Sequence, residues 1–209
     1  MLKILQQDPI LYFRIVVIII ISITCHELAH GIAAIAQGDD TPQKSGHMTP
    51  NPLVHMGGLS LMMLFLTGMS WGQMPVNPSK FRHPVWSNVI VSFAGPLSNI
   101  IFGIVFIILL KLNREHPTFF SNQFLYLFAE INISLFLLNM LPIPPLDGFY
   151  VFSEFFPKLK SFENSPLGSL ALIVILMGGF AATLGTISEL FICTGLRSSF
   201  SECWQIILR

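Results

Sequence analysis

The chain has 209 residues, of which 53% are hydrophobic and only 11% are charged, and its formal net charge is zero. Soluble domains carry charges on about a quarter of their residues, so this composition indicates a membrane protein with several spans. The mean hydropathy of +0.69 agrees with that interpretation. The sequence has no basic run, so nucleic acid is not an expected partner.

The first apolar stretch, from Leu11 to about Gly38, is long enough to span a bilayer and contains the sequence His-Glu-Leu-Ala-His. Residues four apart share a helix face and lie about 6 Å apart along its axis, so His26 and His30 can bind one metal ion. Glu27 stands where metalloproteases with this pattern place the carboxylate that takes a proton from water. The alternative is a buried polar network that joins helices. We favour the metal site, because polar side chains inside a membrane usually serve a function.

Four further apolar stretches follow, and we expect three of them to cross the membrane. The second is strongly apolar only from Leu59 to Met69, whereas a spanning helix needs about 20 apolar residues, so re-entrant backbone is expected there. The other three stretches run from Val85 to Leu110, from about Phe119 to Leu141 and from Pro166 to Ser188.

These stretches predict an all-α polytopic membrane protein with four full transmembrane helices. Residues 1–209 are expected to form a single membrane-embedded domain. Its parts are a core at about 11–150, a further transmembrane helix at about 166–190 and a C-terminal tail at 193–209.

A candidate third metal ligand, Asp147, lies at the end of the fourth stretch. Zinc sites of this kind use two histidines and a carboxylate and leave the fourth position for water. If Asp147 is that carboxylate, it lies at the same depth as His26 and His30, so the first and fourth helices run in the same direction. The third stretch alone then crosses between them. The alternative is that the prolines and the Asp-Gly pair around residue 147 only mark a turn.

Several motifs together resemble those of the site-2 protease family of intramembrane zinc metalloproteases. Three of them are the HExxH pattern, the Gly95-Pro96-Leu97-Ser98-Asn99 sequence in the third stretch and the NxxPxPPLDG pattern from Asn139 to Gly148. Further matches are Gly38-Asp39-Asp40-Thr41-Pro42, Asn51-Pro52-Leu53-Val54-His55 and Pro75-Val76-Asn77-Pro78. They occur in the family's order and indicate a compact bacterial-type member without a PDZ domain.

The resemblance implies a role for each residue that matches a motif. It makes His26, His30 and Asp147 the ligands of one Zn²⁺ ion per chain, Glu27 the catalytic base and Asn139 a polar helper near the scissile carbonyl. It also implies that residues 38–80 form a re-entrant segment with short β-strands that grips the substrate.

Five further polar residues are candidates for substrate contact: Asn51, His55, Asn77, Asn99 and Asn132. We expect Asn99 and Asn132 to line a polar cleft that brings water to the metal. The alternative for Asn132 and Asn139 is a hydrogen bond that joins helices. His55 is either at the substrate entrance or an ordinary loop histidine. Small members of the family often carry an aspartate shortly after this histidine, where the chain has Met56-Gly57-Gly58.

The function expected from these residues is intramembrane hydrolysis of peptide bonds in or near the transmembrane segments of membrane proteins. The expected partners are the lipid bilayer and a transmembrane substrate bound as an unwound or extended segment, and the expected location is the bacterial inner membrane. A membrane metal-ion transporter and a non-catalytic protein that binds membrane partners are the alternatives. A third alternative is another helical membrane zinc protease with a glutamate as third ligand.

Overall fold

The computed structural model describes residues 1–115, 120–163, 170 and 180–196, and these residues are mostly helical. The helices with defined bounds are α1 (Leu2–Gln7), α2 (Pro9–Ala36), α3 (Thr41–Lys44), α4 (Pro52–Thr67), α5 (Pro84–Glu115), α6 (Asn122–Asn139), α7 (Asp147–Phe155) and α8 (Phe180–Leu196). Two short 3₁₀ turns, Pro78–Lys80 and Pro157–Phe162, precede α5 and follow α7.

Two of the described helices, α2 and Pro84–Asn113 of α5, are long and apolar enough to cross a membrane. Many of their large apolar side chains are exposed, as expected for surfaces that contact lipid. The other expected spans are not shown. The fourth corresponds to α6, which has 18 residues, and most of the fifth lies outside the described residues. The described chain therefore supports two of the four predicted crossings, and the other two stay predictions.

Apolar clusters hold the described helices together, and two of them include residues of five helices. In the first, α5, α6 and α8 enclose a cluster that includes Leu110, Tyr126 and Ile192. Helices α5 and α6 approach closely at Gly103, where a Cβ would lie 2.7 Å from a side-chain carbon of Ile133. The second cluster joins α2 to α4 and consists of Tyr12, Val16, Ile23, Met56 and Leu64.

The predicted short β-strands are absent from the described residues, and this part of the fold prediction is wrong. Residues 38–80 form α3, α4 and one 3₁₀ turn, and residues 69–77 have no regular secondary structure. We call residues 70–77 the covering segment. Its Trp71 and Gln73 bond to α4 instead of to a neighbouring strand. Pro75 and Pro78 lack the N–H groups that a strand ladder needs.

Helix α4 contains a sharp bend at Gly57, which has φ +68° and ψ 167°. This conformation is open almost only to glycine, because a Cβ would clash with the backbone. The bend separates a short first part, which carries His55 near its end, from the apolar second part that packs on α2.

A set of polar contacts ties the loop after α2 to the end of the covering segment. We call Asp39, Asp40, Asn77 and Lys80 the polar clasp. Asp39 is fully buried and accepts hydrogen bonds from the backbone N–H groups of Thr41, at 2.9 Å, and Asn77, at 2.6 Å. The Lys80 ammonium donates to Asp40 at 2.6 Å. The two loops therefore lie together at one end of the helical core.

Candidate metal centre

Three polar side chains of the HExxH pattern lie within just over one turn of α2, and all three are buried. His26 and His30 share a face of the helix because they are four residues apart. Their Nε2 atoms are 3.0 Å apart. The local sequence therefore places both imidazoles at one point inside the protein.

The third group, Asp147, is the first residue of α7, and it reaches the same point from the other end of the chain. Helix α6 ends at Asn139, and α7 then begins directly against that end. A Cβ on Gly148 would lie 2.4 Å from the carbonyl carbon of Met140, so only glycine allows this approach. The N-terminal end of α7 also favours a negative charge at Asp147.

The distances among the three groups fit a single metal ion. His26 Nε2 lies 3.0 Å from Asp147 Oδ2, and His30 Nε2 lies 3.4 Å from Asp147 Oδ1. Tetrahedral zinc has ligand atoms at about 2.0–2.2 Å, which places neighbouring ligand atoms about 3.3–3.6 Å from each other. His26, His30 and Asp147 are the group of potential metal ligands that the described residues contain.

Hydrogen bonds on the far side of each imidazole leave the facing nitrogens free to bind a metal. His30 Nδ1 donates to the backbone carbonyl of Val91 at 2.7 Å, and His26 Nδ1 donates to Asn99 Oδ1 at 2.6 Å. Each Nε2 atom therefore carries a lone pair. Two imidazole nitrogens and a carboxylate that converge on one point are a donor set for a cation, and zinc suits this mixture of nitrogen and oxygen atoms.

Gly95 of α5 leaves room for the imidazoles. A Cβ there would lie 2.3 Å from His30 Nε2 and 2.5 Å from His26 Nε2, so any side chain would clash with both rings. Pro96, inside the same helix, has no N–H to donate to the preceding turn.

Glu27 lies against the covering segment. A Cβ on Gly72 would be 2.3 Å from Glu27 Oε1, so the backbone of residue 72 passes directly over the carboxylate. The segment is held on either side of this point. Ser60 Oγ accepts from the N–H of Trp71 and donates to its carbonyl, and the N–H of Gln73 donates to the carbonyl of His55.

The structure places Asn99 and Asn132 directly behind His26. Both are fully buried, and their amides bond to each other and to neighbouring groups instead of lining an open cleft. A direct contact of these two residues with substrate stays a prediction.

The remaining predicted residues lie in turns or near helix ends and have hydrogen bonds of their own there. The side chains of Asn51 and Asn77 accept hydrogen bonds from backbone N–H groups in the turns they begin, and Asn139 is the last residue of α6. His55 is 2% exposed, and its Nε2 donates to the Thr49 carbonyl at 2.6 Å. Substrate roles for these four residues stay predictions.

Several groups around the ligands and Glu27 could not be identified from the sequence. Val91 acts through a backbone carbonyl, which leaves no mark in a sequence. Gly72 has no motif around it. Gly95 and Pro96 were visible as a motif, but only the structure shows that the glycine faces both imidazoles.

The helical fold and this site define a class that sequence comparisons also identify. The sequence model described as Peptidase family M50 matches residues 113–181, which contain Asp147. A relative that is 34% identical to the chain is covered over 98% of its own length. The chain belongs to peptidase family M50, the site-2 protease family, and is a zinc metalloprotease and thus a hydrolase.

The relatives are bacterial proteins with a common description. The chain is 34% identical over 215 residues to "Putative zinc metalloprotease YwhC" of Bacillus subtilis, with 88% of this chain and 98% of that protein covered. It is 28% identical to "Putative zinc metalloprotease Rip2" of Mycolicibacterium smegmatis, over 68% of this chain and 58% of that protein. Rip2 of Mycobacterium tuberculosis is 24% identical, over 97% of this chain and 83% of that protein. No solved structure matches the chain.

Proposed function

We propose that this protein hydrolyses peptide bonds in or near the transmembrane segments of membrane proteins, at a zinc ion held by His26, His30 and Asp147. The observation that carries the proposal is the convergence of Asp147 with His26 and His30, which lie beside a buried glutamate on a helix apolar enough to cross a membrane. Membership of family M50 supports the chemistry.

Glu27 is the proposed catalytic base. Zinc, when bound, would polarise the scissile carbonyl and make a water molecule more acidic. Glu27 takes a proton from the attacking water and passes it to the nitrogen of the leaving amine when the peptide bond breaks. The backbone at Gly72 limits where the Glu27 carboxylate can lie, which keeps it available for both transfers.

The covering segment is the proposed substrate-binding edge. Trp71 and Gln73 bond toward α4, and in an extended chain the backbone groups of the alternate residues, Gly72 and Met74, point to the opposite edge. A transmembrane helix uses its own carbonyls internally, so a substrate must unwind before it is cut. The unwound strand would then pair with the free edge at Gly72 and Met74.

The metal-transporter alternative has less support. A transport path needs successive binding sites through the membrane. The described residues contain one group with the geometry to hold a metal, and it lies beside a glutamate suited to proton transfer. We therefore favour the enzyme. Location in a bacterial inner membrane, with four crossings, is part of the same proposal.

The deciding experiment uses purified protein and a model membrane-spanning substrate. We expect Glu27→Gln to lower the cleavage rate by about 10²–10⁴-fold, because it removes proton transfer, while bound zinc is unchanged. A chelator should abolish cleavage, and added zinc should restore it. Glu163→Gln, a matched change at an exposed position, should cleave normally. Equal cleavage by Glu27→Gln and the unaltered protein would overturn the proposal.

A further inference from the structure

A continuous set of hydrogen bonds links three helices to His26. The Nδ2 group of Asn132 on α6 donates to Ser22 Oγ on α2 at 2.8 Å and to the carbonyl of Phe128 at 2.9 Å. Asn132 Oδ1 accepts from Asn99 Nδ2 at 3.1 Å, and Asn99 Oδ1 accepts from His26 Nδ1 at 2.6 Å. Ser22, Asn99 and Asn132 are all fully buried, so water cannot replace any of these partners.

These bonds can run in only one direction. The carbonyl of Phe128 is an acceptor and can never donate, so Asn132 must present its NH₂ group there. Its oxygen is then left for Asn99, which must use its own NH₂ group to bond to it. Asn99 therefore presents its oxygen to His26. A backbone carbonyl on α6 thus decides, through two amides, that the proton of His26 is on Nδ1.

We propose that Asn132 and Asn99 are positioning residues that fix His26 as the Nδ1–H tautomer, with the Nε2 lone pair toward the metal. This inference rests on the zinc site proposed above. Partners behind a ligating histidine set its tautomer and its ring orientation. The Val91 carbonyl fixes the tautomer of His30 in the same way, and a backbone carbonyl cannot be flipped. The partner of His26 Nδ1 is instead the side chain of Asn99, and the two amides supply an acceptor whose direction is equally fixed.

A purely structural role would also explain buried amides that join helices, and the chain offers a matched control for it. Asn113 on α5 is buried and donates to Asn122 Oδ1 on α6 at 2.7 Å. It joins the same two helices as the Asn99–Asn132 pair but lies 14 residues farther along α5, about 21 Å from Asn99. Asn113→Leu therefore removes an interhelical amide bond without touching the metal site.

The test measures zinc affinity by competition with a chelator, on the purified full chain in detergent. We expect Asn99→Leu and Asn132→Leu to weaken zinc binding by about 10–100-fold relative to Asn113→Leu, the usual effect of losing a partner behind a metal ligand. Asn99→Asp retains an acceptor for His26 Nδ1 and should keep much of the affinity. Nitrogen NMR of histidine-labelled, metal-free protein should show the proton of His26 on Nδ1 in the unaltered chain.

The outcomes separate this inference from the proposed function. Equal zinc affinity in Asn99→Leu and Asn113→Leu, or an Nδ1 of His26 without a proton in the unaltered chain, would overturn the positioning role and leave the zinc site standing. Absence of zinc binding by the unaltered chain would instead overturn the proposed function. If Asn99→Leu does not fold, Asn99→Asp and the NMR measurement still decide the question.

Discussion

At the scale of single residues, the site depends on two positions that have no side chain. Gly95 leaves the volume in which the two imidazoles meet, and Gly72 lets the covering segment lie directly on Glu27. The two glycines serve different parts of the site: Gly95 adjoins the metal ligands, and Gly72 adjoins the proposed base. A substitution at each should therefore affect a different step.

We expect Gly72→Ala to reduce cleavage without reducing bound zinc. The new Cβ would be 2.3 Å from Glu27 Oε1, so either the carboxylate or the covering segment must shift. A displacement of about 1 Å can lower a rate about 10²-fold. The measurement is the cleavage rate together with the zinc content of the same preparation.

Gly58→Ala is the control for that variant, because nothing lies within 4 Å of its added Cβ. It should cleave at the normal rate. Normal cleavage by Gly72→Ala as well would show that the backbone at residue 72 does not restrict Glu27.

The ligands themselves could be found from the sequence, because the HExxH spacing and the Asp147 motif carry the chemistry in side chains. Their geometric support could not be found. The Val91 carbonyl has no side-chain signature, and the bond direction from Asn132 to His26 depends on three helices that meet in space. A prediction that these asparagines face substrate followed from their polarity alone.

At the scale of elements, the covering segment shows why strands were expected and did not form. The family resemblance implied short strands in the region that includes Pro75 and Pro78. The prolines cannot donate to a ladder, and the segment instead uses the side chain of Ser60 and the backbone of His55 on α4. Which partner satisfies a backbone group is a tertiary question that local sequence does not answer.

The polar clasp fixes the far end of that segment, and its carboxylates are held in the charged form. Burial alone would raise the pKa of Asp39, but hydrogen bonds from Thr41 and Asn77, with Lys80 nearby, bring its pKa below the ordinary 3.8. Hydrogen bonds from Lys44 and Lys80 lower the pKa of Asp40 to about 2. The clasp is therefore strongest when both groups are ionised.

We expect the stability of the clasp to fall in acid. Because the folded-state pKa values lie below the ordinary value, the contribution is complete above pH 3.8 and is lost as the pH falls toward about 2. Asp39→Ala, which leaves two part-buried N–H groups without their acceptor, should cost about 1 kcal/mol at neutral pH and should flatten the acid dependence.

The measurement for the clasp is the melting temperature in detergent across that pH range. Glu163→Gln, at an exposed position outside the clasp, should keep the acid dependence of the unaltered chain. An Asp39→Ala protein with the same acid dependence as the unaltered chain would contradict the assignment of this effect to Asp39.

At the scale of the whole molecule, the order of the helices was more accessible to sequence reasoning than the number of crossings. The parallel direction proposed for the first and fourth helices requires residues 40–50 and 72–83 on the same side of the membrane. The polar clasp joins these two regions, and the N–H of Arg82 donates to the carbonyl of Gln37. Among the helices that the structure describes, length and composition alone identify α2 and α5 as spans.

Cysteine labelling in intact vesicles tests this topology. Single cysteines at Gln43 and Ser79, both exposed, should react from the same side of the membrane. A cysteine at Lys111, near the other end of α5, should react only from the opposite side. The chain's own cysteines are replaced by alanine for this purpose. Labelling of positions 43 and 79 from opposite sides would contradict the arrangement.

In the proposed function, the covering segment binds substrate through its backbone N–H and C=O groups. A site that binds a substrate through main-chain hydrogen bonds depends little on which side chains the substrate carries. Under the function proposed here, the choice among substrates would then depend on how readily each transmembrane helix unwinds. Helix-weakening residues such as glycine and proline near the scissile position would mark good substrates better than any consensus sequence would.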